Sequence, residues 1–333
     1  MDEVPWKFVD SVVEMFKWET LHGLAQRVRH PLWKPVVHLH HRNRATYRVE
    51  VRVTNQGVQH LFTRVTPLDS GIRFSSCRIE ESKVAFQTIR EKGRFARIVE
   101  LNDISTNEFP PFAWREINPL SEVDTVKLQQ TISTLIDRVS GSLDLVFGST
   151  DSANMIVTSL FKKAYLQKIR IPYCGQVAYE FLEDQINNSP FLIQVDITGL
   201  HWPKSSIDQL VNFCLKGRPG KHVAAFATNT DLVIDSSTIR NLFDLWKTSG
   251  KLNFQLYCSG GIANQEAWQA LQNEGQLATR KHPKSPERLF QHKTEKSVAM
   301  LSNSYCQMQC YPCNCDRFKE CLLKKEYPEF HKF

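Results

Sequence analysis

The sequence lacks the features that would place it in a membrane or outside the cell. It contains no stretch of about 18 consecutive apolar residues, so neither a membrane-spanning helix nor a membrane partner is expected. Met1-Asp2-Glu3 opens the chain with acidic residues, and no apolar core of a secretory signal follows. We therefore expect a cytoplasmic or nuclear protein whose nine cysteines stay reduced.

Catalytic signatures are missing as well. The sequence contains no HExxH motif, no GxGxxG loop and no GKS or GKT loop. Gly148-Ser149-Thr150 and Cys258-Ser259-Gly260-Gly261 match neither a phosphate-binding loop nor a nucleophile elbow. These absences predict a protein that is not an enzyme. An enzyme on a parallel sheet would need a polar cluster at the strand ends, where the sequence offers Cys174, His201, Asn229 and Cys258.

The chain is apolar enough to fold and mildly basic, with 41% hydrophobic residues and a net charge of +7. Its densest basic stretch contains Arg27, Arg29, Lys34, Arg42, Arg44 and Arg48. Such a stretch is typical of a solvated face, and the alternative is a patch for nucleic acid or an acidic partner. Because aromatic residues are not concentrated among the basic ones, nucleic acid is the less favoured partner.

The hydrophobic pattern changes its period after the first 44 residues. Three segments of helical spacing, the first and third beginning at Pro5 and Pro31, predict a small helical bundle over residues 1–44. Residues 45–118 form a predicted β-rich segment and linker, in which alternating Tyr47–Val53 and Val58–Val65 make a hairpin around Gln56-Gly57. Weaker strand candidates are Ile72–Ile79 and Phe95–Leu101.

Residues 119–275 are predicted to be a repeat-like array. Within it, between Leu166 and Leu271, the chain repeats one unit roughly four times: a short apolar strand, a break rich in Gly, Pro or Asn, and an amphipathic helix. The spacing of roughly 25 to 30 residues is within or just above the leucine-rich-repeat range. The pattern predicts an α/β array with a parallel sheet, whose outer surface is suited to holding a protein client. Trp202, which follows one of the strands, is the predicted client contact.

Residues 276–333 are predicted to be a loop and a cysteine-rich tail, with Val298, Met300 and Leu301 as candidates for a last strand. Five cysteines have spacing that can surround a zinc ion: Cys306, Cys310, Cys313, Cys315 and Cys321. His331 lies nearby, and Asp316 stands among the cysteines. The alternative is that these cysteines are small buried apolar side chains. Beyond this possible structural zinc, no cofactor is predicted.

Three N-terminal motifs follow one another in a recognisable order. They are Val4-Pro5 with the apolar run to Phe16, then Thr20-Leu21-x-x-Leu24-Ala25, then Pro31-Leu32-Trp33. This order resembles a divergent F-box, which begins with Leu-Pro and ends near Leu-Trp. The whole chain is also similar to a nematode-expanded group of F-box-like proteins. The supporting segments are Phe191–Gly199 with Trp202-Pro203, Phe213–Gly217 and the cysteine tail.

The resemblance implies a substrate-recruiting adaptor of an SCF-type (cullin–RING) ubiquitin ligase. The N-terminal bundle would bind a Skp-type adaptor, and the leucine-rich-repeat-like array would hold the protein client. The adaptor contacts implied by the match are Pro5, Phe8, Val9, Val12, Leu21 and Leu24. The alternative function is that of a basic, zinc-bearing protein associated with nucleic acid.

Overall fold

Helices and strands alternate along most of the chain. The structure is a computed structural model that describes residues 5–65, 84–106, 114, 116–277, 287–302, 306–318 and 320–331. The fold is mixed α/β, with a helical N-terminal region, as the sequence predicted. Two compact units divide the chain: Met1–Ile169 with Asn188–Phe191, and Arg170–Asn187 with Leu192–Phe333. The domain limits given above stay a prediction.

Three short helices open the first unit, and they confirm the predicted N-terminal bundle. They are α1 (Trp6–Glu14), α2 (Trp18–Arg27) and α3 (Trp33–Asn43). One small core joins them, because each helix contributes apolar residues three or four positions apart. This core consists of Val9, Val13, Leu21, Val36 and Val37.

A mixed group of strands completes the first unit. Its remaining elements are β1 (Ala45–Thr54), β2 (Gly57–Val65), α4 (Phe86–Lys92), a 3-10 turn (Gly93–Phe95), β3 (Ala96–Asp103), α5 (Glu122–Leu135), β4 (Ser142–Asp144) and α6 (Thr150–Leu160). Strand β1 pairs antiparallel with β2 and parallel with β3, and β3 pairs parallel with β4. The predicted hairpin is therefore confirmed, and the candidate Phe95–Leu101 forms most of β3. The candidate Ile72–Ile79 lies outside the described residues.

The second unit contains the predicted repetition of strand and helix. Its elements are β5 (Lys168–Pro172), α7 (Gln176–Asn188), β6 (Gln194–Thr198), α8 (Ser206–Cys214), β7 (Val223–Thr228), β8 (Ile234–Asp235), α9 (Ser236–Ser249), β9 (Phe254–Cys258), β10 (Ile262–Ala263) and α10 (Gln265–Asn273). Strands β6, β7 and β9 pair in parallel, as predicted. Helix α9 shows why the pattern folds this way, because the Asp235 side chain caps its first turn and left-handed Gly250 ends it.

The end of the chain differs from the prediction of a loop and tail. It forms β11 (Gln276–Leu277), β12 (Glu287–Gln291), β13 (Ser297–Ser302) and β14 (Cys306–Pro312), which pair antiparallel in the order β11-β12-β13-β14-β9. The candidate strand residues Val298, Met300 and Leu301 lie in β13, but the pattern concealed its full length because all six positions are buried although Ser297 and Ser302 are polar. Helix α11 (Leu322–Glu326) and a 3-10 turn (Pro328–His331) follow. Within the described ranges, no helix combines the length and the apolar character needed to cross a bilayer.

Candidate functional site

Helix α1 presents two apolar stripes. The first contains Val9 and Val13, which are fully buried in the bundle core. The second contains Phe8 and Val12 of α1 and Met15, the C-cap residue directly after it, which are spaced by four and three residues and therefore lie along one side. Phe8 is 56% exposed and Met15 is 53% exposed, while Val12 is half-buried. We call this second set the outer stripe.

The structure separates the six predicted adaptor contacts into two groups. Pro5 and Phe8 are exposed, and Val12 and Leu24 are half-buried. Val9 and Leu21 are fully buried. This corrects the prediction for these last two, because a side chain enclosed by its own bundle is not accessible to a partner. Sequence reasoning missed Met15, although its spacing from Phe8 and Val12 was visible.

A buried arginine holds the end of α1 in place. The Arg44 guanidinium donates hydrogen bonds of 3.1 Å to the carbonyls of Val13 and Glu14, and a further one to the carbonyl of Phe16. Carbonyls at a helix C-terminus carry negative partial charge and lack helical partners, so a cation is favourable there. Burial, assisted by the nearby Arg97 charge, lowers the pKa of Arg44 to about 10, which leaves it charged at neutral pH.

A second set of polar contacts ties α1 to α3 and to the start of β3. Asp10 Oδ1 lies 2.9 Å from Nε2 of fully buried His40, and the Asp10 carboxylate also pairs with Arg94. The hydrogen bond from Arg94 lowers the pKa of Asp10, although burial opposes the shift. Burial lowers the pKa of His40 and outweighs the hydrogen bond to Asp10. Because these contacts fix α1, the outer stripe has a defined position in the first unit.

The basic stretch of the sequence does not form one free basic surface. Arg44 is committed to the carbonyls at the end of α1, and Arg48 Nε lies 2.5 Å from Glu100 Oε2. Arg27, Arg29, Lys34 and Arg42 remain exposed. Two of the six predicted basic residues therefore have structural roles within the first unit.

Trp202 is buried in the second unit. It is only 4% exposed, its Nε1 donates a 2.8 Å hydrogen bond to the carbonyl of Thr198, and its ring packs against Tyr173 with centroids 5.3 Å apart. A buried indole with a satisfied N–H is typical of packing. This corrects the prediction that Trp202 contacts a client, because its side chain does not reach the surface.

Two exposed apolar residues lie in the segments that follow β6 and β7. Leu200, 56% exposed, follows β6, and Val233, 50% exposed, follows β7. Strands β6 and β7 are parallel neighbours, so the segments after them lie at the same edge of the sheet. The Asp231 carboxylate accepts a hydrogen bond of 3.2 Å from the backbone N–H of His201, which links these two segments. Leu200 and Val233 thus share one sheet edge.

Cys174 and Cys258, the two cysteines that the sequence offered as candidates for an enzyme site, are buried in the second unit. Burial raises the pKa of Cys174 to about 11 and also raises the pKa of Cys258, whose Sγ contacts the carbonyl of Leu232 at 3.1 Å. Both thiols are therefore protonated at neutral pH, and a protonated thiol is a poor nucleophile.

Three cysteines and one histidine converge after β14. The Sγ atoms of Cys313, Cys315 and Cys321 and a ring nitrogen of His331 all lie within 4.8 Å of one another. His331 Nε2 is 3.4 Å from Cys313 Sγ and 3.0 Å from Cys315 Sγ. We call these four residues the C-terminal cluster. The sequence pattern placed His331 near the tail but not among the ligands, because His331 follows Cys321 by ten residues and only the 3-10 turn Pro328–His331 brings it back.

Two of the five predicted metal ligands lie outside the C-terminal cluster. Cys306 and Cys310 are on β14, where they face Cys258 and Phe254 in the register with β9. Both are almost completely buried, and burial raises the pKa of each thiol. This corrects the prediction for Cys306 and Cys310, which instead behave as small core side chains. Asp316 is exposed and is not a member of the cluster.

The thiols of the C-terminal cluster influence one another. Burial and the neighbouring Cys321 and Cys313 thiols raise the pKa of Cys315 to about 11. Burial also acts to raise the pKa of Cys321, but hydrogen bonds from the backbone N–H groups of Asn314 and Lys324 and from the two other thiols lower it overall.

Comparison with known proteins does not assign this chain to a family. No protein-family model, curated protein or solved structure matches it. The resemblance to F-box-like proteins therefore depends on the sequence motifs described above, and the function that it implies is treated as a proposal.

Proposed function

We propose that this protein is a non-catalytic adaptor that recruits a protein client to an SCF-type ubiquitin ligase. Its N-terminal bundle binds a Skp-type adaptor, and the strand–helix region of its second unit holds the client. The observation that supports this proposal is the outer stripe, which is exposed on a helix whose opposite side already completes the bundle core. A stripe with i, i+4 and i+7 spacing is the form in which a helix enters an apolar groove.

The outer stripe offers a plausible source of binding energy. Complete burial of a Phe or Met side chain contributes about 1.5–3 kcal/mol relative to exposure, and aromatic anchors dominate many interfaces. Phe8 and Met15 are each more than half exposed in the chain alone. A partner that covers both residues would therefore gain much of this energy without disturbing Val9 and Val13.

The proposed client contact changes from Trp202 to two other residues of the second unit, Leu200 and Val233. Buried Trp202 supports the sheet edge from inside, while Leu200 and Val233 expose apolar surface at that edge. Exposed apolar residues grouped at one edge are suited to a protein partner. Leu200 and Val233 therefore replace Trp202 as the proposed client contacts.

Co-purification of the full chain with a Skp-type adaptor tests the proposal. We expect the wild-type chain to bind, and the double variant Phe8→Ala/Met15→Ala to lose most of this binding because it removes the outer stripe. Leu245→Ala is the matched control, since Leu245 is 49% exposed on α9 and belongs to the second unit. Failure of the wild-type chain to bind, or equal binding by the double variant, would contradict the proposal.

A further inference from the structure

We propose that Cys313, Cys315, Cys321 and His331 bind one zinc ion through three thiolates and one imidazole nitrogen. In a tetrahedral site, Zn–S bonds of about 2.3 Å and Zn–N bonds of about 2.0–2.1 Å place sulfur atoms about 3.8 Å apart and sulfur about 3.6 Å from nitrogen. The observed distances of 3.0 and 3.4 Å, and the upper limit of 4.8 Å, lie on either side of these values. Small side-chain movements therefore complete the site.

The composition of the C-terminal cluster favours zinc over harder cations. Three sulfurs and one imidazole nitrogen are soft or borderline ligands, whereas calcium and magnesium require several oxygens. A closed set of four protein ligands is also typical of structural zinc, since a catalytic zinc keeps one position open. The cluster contains four possible ligands and no carboxylate.

Two cysteines of the cluster, Cys313 and Cys315, differ in exposure from the other described cysteines. Cys214, Cys258, Cys306 and Cys310 are almost completely buried and have raised pKa values. Cys315 is exposed and Cys313 is half-buried, yet both lie against His331. Packing of small apolar side chains explains the first set, but it does not explain why partly exposed thiols gather around an imidazole.

Zinc would have a structural role at this position. Its ligands come from the segment after β14, the residue before α11 and the end of the 3-10 turn. Helix α11 has five residues and the 3-10 turn has four. Elements of this length are not stable alone. Leu323 and Tyr327 from this segment are buried against Leu289, Val298 and Met300 of β12 and β13. A shared ion would hold the segment over these strands.

Backbone groups near Cys321 support a bound thiolate. The N–H groups of Asn314 and Lys324 are directed at its sulfur. Hydrogen bonds of this kind orient and stabilise metal-bound ligands. The segment thus supplies both the ligand atoms and the donors around one of them.

The test measures metal content and cobalt spectra of the full chain, purified under reducing conditions. We expect one zinc per chain, and we expect cobalt(II) to give the strong visible and near-ultraviolet absorption of a tetrahedral thiolate site. Cys321→Ser and His331→Asn should weaken zinc binding by more than about 100-fold, beyond the loss caused by removing a group that only orients a ligand. His331→Cys should retain zinc and increase the thiolate absorption.

Two matched controls separate the ligands from other residues of the same type. His201→Asn makes the same substitution at an exposed histidine with a φ of 71°, a conformation that asparagine tolerates. Cys310→Ala removes a cysteine that the sequence pattern included but the structure excludes. Both should keep one zinc per chain, and circular dichroism of every variant establishes whether it is folded.

Three results would overturn the proposal. The first is a folded, reduced wild-type chain that takes up no zinc. The second is a stable disulfide among Cys313, Cys315 and Cys321 in the protein isolated from cells, found by peptide mapping without reduction. The third is loss of zinc in Cys310→Ala while folded Cys321→Ser retains it.

Discussion

The N-terminal bundle and the C-terminal segment, which contains α11 and the 3-10 turn after it, both consist of short elements, and these are stabilised in different ways. Helices α1 to α3 have 9, 10 and 11 residues and bury a shared apolar core, which buried Arg44 reinforces. The C-terminal segment has elements of five and four residues, and four possible metal ligands meet between them. Packing stabilises short helices that have enough apolar residues, whereas we expect the still shorter elements to depend on a cross-link, here the proposed zinc ion.

The largest expected effect comes from removing metal. A strong chelator should release the C-terminal segment, because the proposed ion holds its two short elements together. Hydrogen exchange read by mass spectrometry should show lost protection over Leu322–His331 and unchanged protection over Trp6–Asn43. Unchanged hydrogen exchange in the C-terminal segment of the metal-free chain would show that this segment, like the bundle, does not depend on a metal ion.

A core substitution in the bundle should have the next largest effect. Leu21→Ala leaves a cavity where a fully buried leucine packed, which destabilises a protein by about 2–5 kcal/mol. Denaturant titration of the full chain measures this change. The matched control is Leu245→Ala at an exposed position, which should change stability by less than about 0.5 kcal/mol. Zinc content should be unaffected in both variants, since the bundle does not depend on the ion.

Acidification should have the smallest effect, and it acts on the bundle through His40. Burial holds the pKa of folded His40 below its ordinary value of 6.5, so the unfolded chain takes up a proton first as the pH falls. Stability should therefore decrease from pH 7 toward pH 5. Asp10 adds to the loss only near pH 4 and below, because its pKa is lowered from 3.8 in the folded state.

Thermal unfolding between pH 7 and pH 5 checks this expectation. His40→Gln should show a shallower decrease in midpoint than the wild-type chain, because glutamine does not titrate. His38→Gln makes the same substitution at a half-buried histidine of the same helix and is the matched control for the change of side chain itself. A wild-type slope in His40→Gln would show that other histidines with a lowered pKa, such as half-buried His60, dominate the response.

Periodicity predicted most of the elements because local patterns determine them. The helices of the bundle and the alternating strands and helices of the second unit follow from apolar spacings of 3.6 and 2 residues. Strand β12 escaped prediction, and the extent of β13 beyond the candidate residues Val298, Met300 and Leu301 was missed, because the burial of these strands comes from neighbouring strands. The polar ends of β13, Ser297 and Ser302, look like loop residues until both partner strands are present.

The candidate sites were harder to predict than the fold, because they depend on which way a side chain faces. Phe8 and Val9 are adjacent apolar residues, yet Phe8 is exposed and Val9 is fully buried. Trp202 looked accessible because it follows a strand, but its indole turns inward to the carbonyl of Thr198. His331 joins the cysteines only through the turn that precedes it. Each of these outcomes depends on contacts between distant parts of the chain.

The polar links between α1 and the start of β3 have a mechanical consequence. Asp10 and Glu14 on one side of this helix form ion pairs with Arg94, just before β3, and with Arg97, on β3, and these pairs favour one orientation of α1 against the strand. A partner bound to the opposite side of α1 would therefore contact a helix that is linked to β3 and not one on a flexible linker. A displacement of α1 by such a partner would then also displace the strands of the first unit.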